Sequence, residues 1–122
     1  YGLVGSEMCI RDSKYIFRLY KRESQRIESK LSICLVSAVD SSKNELKDIK
    51  LLEKAMDKIS FSISNSLRMR DVYTRYSRSQ YLLLLLDADK SSFDGIEERI
   101  MTRFRRSKTM DSVNVKFDFK EI

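Results

Sequence analysis

Residues 75–81 read Arg-Tyr-Ser-Arg-Ser-Gln-Tyr, and residues 82–86 continue as five consecutive leucines. Just before them, residues 66–71 read Ser-Leu-Arg-Met-Arg-Asp. This order predicts a helix that ends in a basic segment, a short strand, a tight turn at residues 77–79, and a buried strand over residues 80–86. The two strands form a hairpin around which the rest of the chain is organised.

The segments on either side of this hairpin predict two more strands. Residues 31–39 are apolar and rich in β-branched side chains, so they predict a first strand that is buried on both faces. A last strand with one wet face is predicted from apolar residues that alternate with polar ones. These apolar residues are Val113, Val115, Phe117 and Phe119.

Helices are predicted where apolar residues recur every three or four positions. The helix before the hairpin carries Leu46, Ile49, Leu52, Met56, Ile59, Ile63 and Leu67. The helix after it carries Phe93, Ile96, Ile100 and Phe104. A helix that precedes the first strand carries Ile16, Leu19, Tyr20 and Ile27. The order after this leading helix predicts an α+β, ferredoxin-like fold, in which helices pack on a four-stranded antiparallel sheet.

The first thirteen residues differ from the remainder of the chain. Residues 1–13 begin without methionine and show neither helical nor strand periodicity. Residues 4–13 resemble translated library-adapter sequence, and an interdomain linker is the alternative. We expect a non-native or linker segment here, followed by a single domain over residues 14–122 that is a fragment of a longer protein.

Composition excludes several classes of protein. With 122 residues, 42% of them hydrophobic and 34% charged, the chain predicts one small globular domain. The longest apolar run, residues 82–86, is far shorter than the roughly 20 residues of a membrane-spanning helix. The absence of histidine and the presence of only two cysteines, Cys9 and Cys34, argue against a zinc site or a Cys–His nucleophile. We expect no cofactor, no membrane contact and a cytoplasmic location.

The hairpin resembles the signature of GGDEF domains, the bacterial diguanylate cyclases. That family's pattern runs Leu-Arg-x-x-Asp, then Arg-Tyr-Gly-Gly-Asp/Glu-Glu-Phe, then an apolar strand. The flanking residues match this pattern, and the resemblance implies the nucleotide-cyclase palm fold. The signature positions themselves are degenerate, because neither the two glycines nor the two acidic residues are present. These positions hold Ser77, Arg78, Ser79, Gln80 and Tyr81.

The missing carboxylates determine what we expect of catalysis. Joining two nucleoside triphosphates requires Mg²⁺ held by carboxylates. Asp40 is the only carboxylate near the end of the first strand, and the family's Asp-x-Asp-x-Phe-Lys segment has no counterpart. We therefore expect no catalytic residues, no metal site and no enzyme activity. An active cyclase stays an alternative only if folding assembles a cluster from Asp40, Asp71, Asp87 and Asp89.

Arg68 and Asp71 match the Arg-x-x-Asp motif of the family's product-inhibition site. The resemblance implies that these two residues bind cyclic di-GMP, since the guanidinium fork suits phosphate oxygens and guanine acceptors. The alternative is structural: a cation in the last turn of a helix and an aspartate just beyond it favour the helix end. Both interpretations stay open at this stage.

A narrower resemblance concerns the role of the domain. Residues 17–23, 66–72, 75–81 and 98–106 are similar to the C-terminal degenerate GGDEF-like domain of bacterial transcriptional regulators. Those regulators carry a winged-helix DNA-binding domain and a helical-repeat bacterial transcriptional activator (BTAD) domain upstream, and their hairpin reads Arg-Tyr-Ser-x-x-Gln-Tyr/Phe. The resemblance implies a regulatory or protein-interaction module whose partners are the upstream domains of the same chain.

The net charge of +6 raises the question of direct DNA binding. Cations concentrate on the last predicted helix, at Arg99, Arg103, Arg105, Arg106 and Lys108. On the preceding helix, lysines alternate with acidic residues, which is typical of a solvated face. We therefore expect no direct DNA contact from this domain. A purely structural dimerisation domain without ligand is a further alternative, and an exposed stripe of Ile16, Leu19 and Ile27 would favour it.

Overall fold

Five strands, which form one sheet, and two helices have defined bounds in the described part of the chain. The computed structural model describes residues 7–8, 18, 22, 30–106 and 112–121. In chain order the elements are β1 (Glu7–Met8), β2 (Leu31–Val39), α1 (Ile49–Ser64), β3 (Val72–Ser77), β4 (Gln80–Leu86), α2 (Lys90–Arg106) and β5 (Asn114–Glu121).

The strands lie in the order β1-β3-β4-β2-β5. The neighbouring pairs β3–β4, β4–β2 and β2–β5 are all antiparallel, which confirms the predicted ferredoxin-like, four-stranded α+β sheet. The short β1 adds a parallel pairing of Glu7 with Tyr73 and Met8 with Thr74. No strand was expected in residues 1–13, because two residues are too few to show a period.

The first predicted strand coincides with β2, Leu31–Val39. Its residues Cys34, Val36 and Ala38 belong to the core that the two helices cover. On the opposite face Leu31 and Val39 are also buried, but Ile33 and Leu35 between them are only partly buried. The predicted burial on both faces therefore holds at the ends of the strand and is incomplete at its centre. Desolvation by burial raises the pKa of the Cys34 thiol, which packs as a small apolar side chain.

The helix before the hairpin is shorter than its apolar pattern predicted. The Asp48 carboxylate caps α1 by accepting hydrogen bonds from the backbone N–H groups of Lys50 and Leu51, at 3.1 and 3.3 Å. Leu46 lies in the loop before the helix, where it is buried, and Leu67 lies in the loop after the helix. Ile49 was predicted to face the core, but as the first helical residue it is exposed to solvent.

The helix and strand after the hairpin agree with prediction. In α2 the buried residues are Ile96, Ile100 and Phe104. In β5 half-buried apolar residues alternate with exposed polar ones, as predicted. Phe93 of α2 stacks on Phe119 of β5 with ring centroids 4.5 Å apart. These contacts fix α2 across the edge strand of the sheet.

The apolar stripe of the predicted leading helix, with Ile16, Leu19, Tyr20 and Ile27, lies outside the described residues. Arg18 and Arg22, which are described, are both helical. Within the part of the chain that the structure describes, no helix is both long enough and apolar enough to cross a membrane.

Candidate functional site

The hairpin between β3 and β4 turns through only two residues, Arg78 and Ser79. Ser77 was predicted to lie in the turn, but it pairs with Gln80 as the last residue of β3. The pairing shifts between Arg75 and Ser77, which marks a β-bulge. A bulge places an additional residue in one strand, and here it extends β3 by one residue beyond the predicted end.

The Arg75 side chain stabilises this turn by hydrogen bonds to its backbone. Its Nε donates to the Ser77 carbonyl at 3.0 Å, and its Nη2 donates to the Arg78 carbonyl at 2.9 Å. The guanidinium carbon lies 5.5 Å from the ring centroid of Tyr81, which is itself buried. The Arg75 guanidinium and the Tyr81 ring therefore stabilise a turn that contains no glycine.

The side chains at the predicted signature positions connect the hairpin to the neighbouring strand β2. The Ser77 hydroxyl donates to Gln80 Oε1 at 2.9 Å, and Gln80 Nε2 donates to the Ser37 hydroxyl at 3.1 Å. The backbone N–H of Ala38 donates to the Ser79 carbonyl at 2.8 Å. These contacts give Ser77, Ser79 and Gln80 a structural role.

An open pocket of about 320 Å³ lies between this turn and the end of β2, and we call it the hairpin pocket. Its polar lining consists of three serines (Ser37, Ser77 and Ser79), Gln80, two lysines (Lys43 and Lys116) and one carboxylate, Glu45. Hydroxyl, amide and ammonium groups therefore outnumber carboxylates at the position where the sequence predicted a degenerate site.

The four carboxylates considered for a metal cluster have separate partners. Asp40 Oδ1 accepts from the backbone N–H groups of Ser42 and Asn44, at 2.8 and 2.9 Å, and so closes the loop after β2. Asp87 Oδ2 lies 2.9 Å from Arg70 Nη1. In the described residues, no group of three or more Cys, Asp or Glu side chains is placed to hold a metal ion together.

Asp89 follows β4 and is bound by local groups. Its carboxylate accepts hydrogen bonds from the Ser91 hydroxyl and backbone N–H, and lies 3.3 Å from Lys30 Nζ. The hydrogen bond from the Ser91 side chain, followed by the one from Lys30, lowers the pKa of Asp89. The Asp89 side chain is half-buried, and its three contacts are all to nearby nitrogen and oxygen donors.

Asp71 is buried, with 1% of the residue exposed. Its Oδ2 accepts from the Arg68 backbone N–H and from Arg68 Nε, at 3.2 and 3.1 Å. Its Oδ1 accepts from the Leu86 backbone N–H at 3.2 Å, and Arg68 Nη2 donates to the Leu86 carbonyl at 2.6 Å. The pair therefore fastens the loop after α1 to the end of β4.

The end of α1 contradicts the structural explanation of the Arg-x-x-Asp motif, which placed Arg68 in the last turn of a helix. The helix α1 ends at Ser64, is capped by Asn65 and has no cation in its last turn. Arg68 lies beyond that turn, so the helix dipole does not account for it. The Arg68 side chain is 45% exposed even though it is held by Asp71.

A second open pocket, of about 400 Å³, lies between this loop and α2, and we call it the arginine cleft. Its lining residues are Arg68, Ser92, Gly95, Ile96 and Arg99. The position where a side chain would start at Gly95 has no atom within 4 Å, so the cleft is open above the helix. Arg99 entered the sequence analysis only as one of several cations, because its proximity to Arg68 depends on how α2 packs.

Comparison with known proteins addresses the fold. No protein-family model matches the chain, and no curated protein sequence matches it. Among solved structures, a DGC protein from Thermotoga maritima superposes with a TM-score of 0.78 at 17% identity, over 96% of this chain and 82% of that one. The GGDEF domain of DgcB from Caulobacter crescentus, in complex with c-di-GMP, gives 0.73 at 10% identity, over 96% and 74%. The GGDEF domain of PA1120 from Pseudomonas aeruginosa gives 0.71 at 14% identity, over 97% and 78%.

The chain has the GGDEF-domain fold. This finding confirms the predicted nucleotide-cyclase palm. Within the GGDEF fold of this chain, the predicted signature residues Ser77 to Tyr81 lie on the β3–β4 hairpin, and Arg68 and Asp71 lie on the loop that leads into β3. Of the predicted signature residues, Ser77, Ser79 and Gln80 line the hairpin pocket. Of the predicted ligand-binding pair, Arg68 lines the arginine cleft, and Asp71 is buried behind it.

Proposed function

We propose that this chain is a catalytically inactive GGDEF-like regulatory module that binds cyclic di-GMP and does not make it. The lining of the hairpin pocket carries the first part of this proposal. Two triphosphates and their Mg²⁺ ions need several carboxylates within reach. Among the described residues that line this pocket, Glu45 is the only one with a carboxylate. The positive charges of Lys43 and Lys116 favour the binding of anions and would repel metal ions.

The experiment for inactivity is an assay of product formation. The purified chain is incubated with GTP and Mg²⁺, and cyclic di-GMP is quantified by chromatography beside an active diguanylate cyclase. We expect no product above the protein-free control. A second sample carries Ser79→Asp with Gln80→Glu, to test whether acids at the signature positions are sufficient. Steady formation of cyclic di-GMP by the unmodified chain would refute the proposal.

The arginine cleft supports the ligand-binding part of the proposal. Two arginines, Arg68 and Arg99, line one open cleft of about 400 Å³. Planar guanidinium groups recognise phosphate oxygens and guanine acceptors through paired hydrogen bonds. The buried Asp71 accepts from Arg68 Nε and so orients that side chain. In this proposal Arg68 and Arg99 contact the ligand, and Asp71 positions Arg68.

Hydrogen exchange locates the ligand within the domain. With cyclic di-GMP at saturation, we expect slower exchange in the loop at residues 66–71 and in the middle of α2. Exchange in the β3–β4 turn should not change, because that turn lines the other pocket. Protection confined to the turn would contradict the assignment to the arginine cleft.

We further propose that the module belongs to a bacterial, cytoplasmic transcriptional regulator. The similarity of its Arg-Tyr-Ser-x-x-Gln-Tyr hairpin, residues 75–81, to the degenerate domains of such regulators supports this context. DNA contacts would then come from the winged-helix and helical-repeat domains upstream. A mobility-shift experiment with this domain alone should show no sequence-specific DNA complex, and a specific complex would contradict this division of labour.

Exposed apolar side chains favour a second candidate function, a dimerisation domain without ligand. Phe61 on α1 is 66% exposed, and Met69 in the following loop is 84% exposed. Large exposed apolar groups are common in contact surfaces between proteins. Sedimentation equilibrium tests this candidate: a dimer that Phe61→Ser dissociates would support it, and a monomer at all concentrations would exclude it.

A further inference from the structure

A row of polar side chains crosses all four antiparallel strands at one end of the sheet. Ser77 of β3 pairs with Gln80 of β4, Gln80 pairs with Ser37 of β2, and Ser37 pairs with Lys116 of β5. Directly paired residues project from the same face of a sheet. The pairing therefore brings four polar side chains, far apart in sequence, side by side in the hairpin pocket.

Ser37, in the middle of this row, has an unused hydrogen-bond donor. It is 6% exposed, and its hydroxyl oxygen accepts from Gln80 Nε2 at 3.1 Å. Among the residues that the structure describes, no acceptor for the Ser37 hydroxyl hydrogen is found. Buried polar groups are nearly always hydrogen-bonded, so a buried donor in the lining of an open pocket is suited to a bound acceptor.

Two lysines, Lys43 and Lys116, line the same pocket. Lys43 has a left-handed backbone with φ of 65°, in a loop closed by its N–H bond to the Asp40 carbonyl at 3.0 Å. Lys116 Nζ lies 3.9 Å from Asp118 Oδ2, a loose and exposed ion pair of the kind that contributes little. Glu45 is the single carboxylate of the lining, so the charge of the pocket is positive.

We propose that the hairpin pocket binds a phosphate group without a divalent cation. In this site Lys43 and Lys116 supply the positive charge, Ser37 donates its free hydroxyl hydrogen, and the Gln80 amide fixes the orientation of Ser37. The ligand class is a phosphate monoester or inorganic phosphate, which share the same tetrahedral anion. The inference is independent of cyclic di-GMP binding, since Arg68 and Arg99 line the other pocket.

The test is a titration of the purified chain with inorganic phosphate in the presence of EDTA, followed by amide NMR. We expect saturable shifts at Ser37, Ser79 and Gln80. Lys116→Gln and Ser37→Ala should each weaken phosphate binding about tenfold, the effect of losing one hydrogen bond to a charged group. The matched control is Lys120→Gln, which removes the same charge from the same face of β5, roughly 13 Å further along the strand.

Three outcomes would overturn the proposal: no saturable shifts at the pocket, equal weakening by Lys120→Gln, or binding that requires Mg²⁺. Folding is checked through the amide spectrum of each variant, and Lys116→Gln is informative even if Ser37→Ala fails to fold. A parallel titration with a nucleoside monophosphate distinguishes the two sources of the anion. If the nucleoside monophosphate binds more tightly than inorganic phosphate, the ligand of the pocket is a phosphate monoester. If the two bind equally, the ligand is the free phosphate ion.

Discussion

Arg68 and Asp71 form a bidentate pair in which the carboxylate is buried and the guanidinium is half-exposed. Asp71 Oδ2 lies 3.1 Å from Arg68 Nε, and Asp71 Oδ1 lies 3.4 Å from Arg68 Nη2. Both residues also bond to the backbone of Leu86 at the end of β4. The pair serves two purposes at once, because it joins the loop to the sheet and holds a cation at the arginine cleft.

Replacing the buried carboxylate should weaken this junction. Asp71→Asn keeps the shape but removes the charge, so we expect the free energy of unfolding to fall by about 2 kcal/mol, the typical cost of losing a charge-assisted hydrogen bond. Urea unfolding measures the change. Asp57→Asn on the exposed face of α1 is the control, with an expected change below about 0.5 kcal/mol. Equal effects of the two substitutions would show that the Asp71 contacts contribute no stability.

The turn of the hairpin should depend on the fork of Arg75. Lysine retains the charge but cannot bond two carbonyl groups in the same plane, so Arg75→Lys should reduce the free energy of unfolding by about 1 kcal/mol. Amide exchange at Ser79 should become faster. Arg78→Lys is the matched control, since the Arg78 side chain is exposed at the tip of the turn and makes no side-chain bond within the described residues. If Arg78→Lys accelerates exchange as much as Arg75→Lys does, the assigned role of Arg75 is wrong.

Cys34 should be unreactive until the protein unfolds. Burial raises the pKa of its thiol, so the folded state disfavours the thiolate that alkylating agents attack. In a Cys9→Ser variant, iodoacetamide should modify Cys34 slowly at pH 8 and rapidly in urea. As the pH rises, the Cys34 thiol ionises in the unfolded state before it ionises in the folded state. The contribution of Cys34 to the free energy of unfolding is therefore complete below the unfolded pKa of about 8.5 and is lost as the pH rises above it. Rapid labelling of the folded protein would contradict the buried location.

The pKa of Asp89 should depend on Ser91. Since the Ser91 hydroxyl is the main cause of the lowered pKa, Ser91→Ala should raise it toward the ordinary value for aspartate. Carboxyl-carbon NMR titration of Asp89 measures this change. A carboxylate with a depressed pKa stabilises the fold above its unfolded pKa, and the contribution is lost as the pH falls through the folded pKa. An unchanged titration of Asp89 in the variant would assign the shift to Lys30.

The fold could be predicted because the local patterns agree with one another. The β-branched run at residues 31–39 and the alternation around Phe117 and Phe119 each require only the period of a strand and a buried core. The β-bulge before Ser77 was not predictable, since it depends on pairing with Gln80 across the hairpin. The two-residue β1 has no pattern of its own and forms only through pairing with β3.

The candidate sites were only partly predictable for a related reason. The Arg-x-x-Asp spacing drew attention to Arg68 and Asp71, but the burial of Asp71 follows from its contact with Leu86, which is distant in sequence. The positions of Arg99 beside Arg68 and of Ser37 beside Gln80 depend on how the elements pack. A single sequence gives no signal for such contacts between elements.

The central claim is that this domain binds cyclic di-GMP through the arginine cleft, and calorimetry tests it most directly. Cyclic di-GMP is titrated into the purified chain, with Arg99→Ala and Arg68→Ala alongside and Arg105→Ala as a control outside the cleft. We predict saturable binding that Arg99→Ala weakens about tenfold, since one guanidinium–phosphate contact is lost and the Asp71 pair is left intact. No heat with the unmodified chain, or equal weakening by Arg105→Ala, would contradict the account.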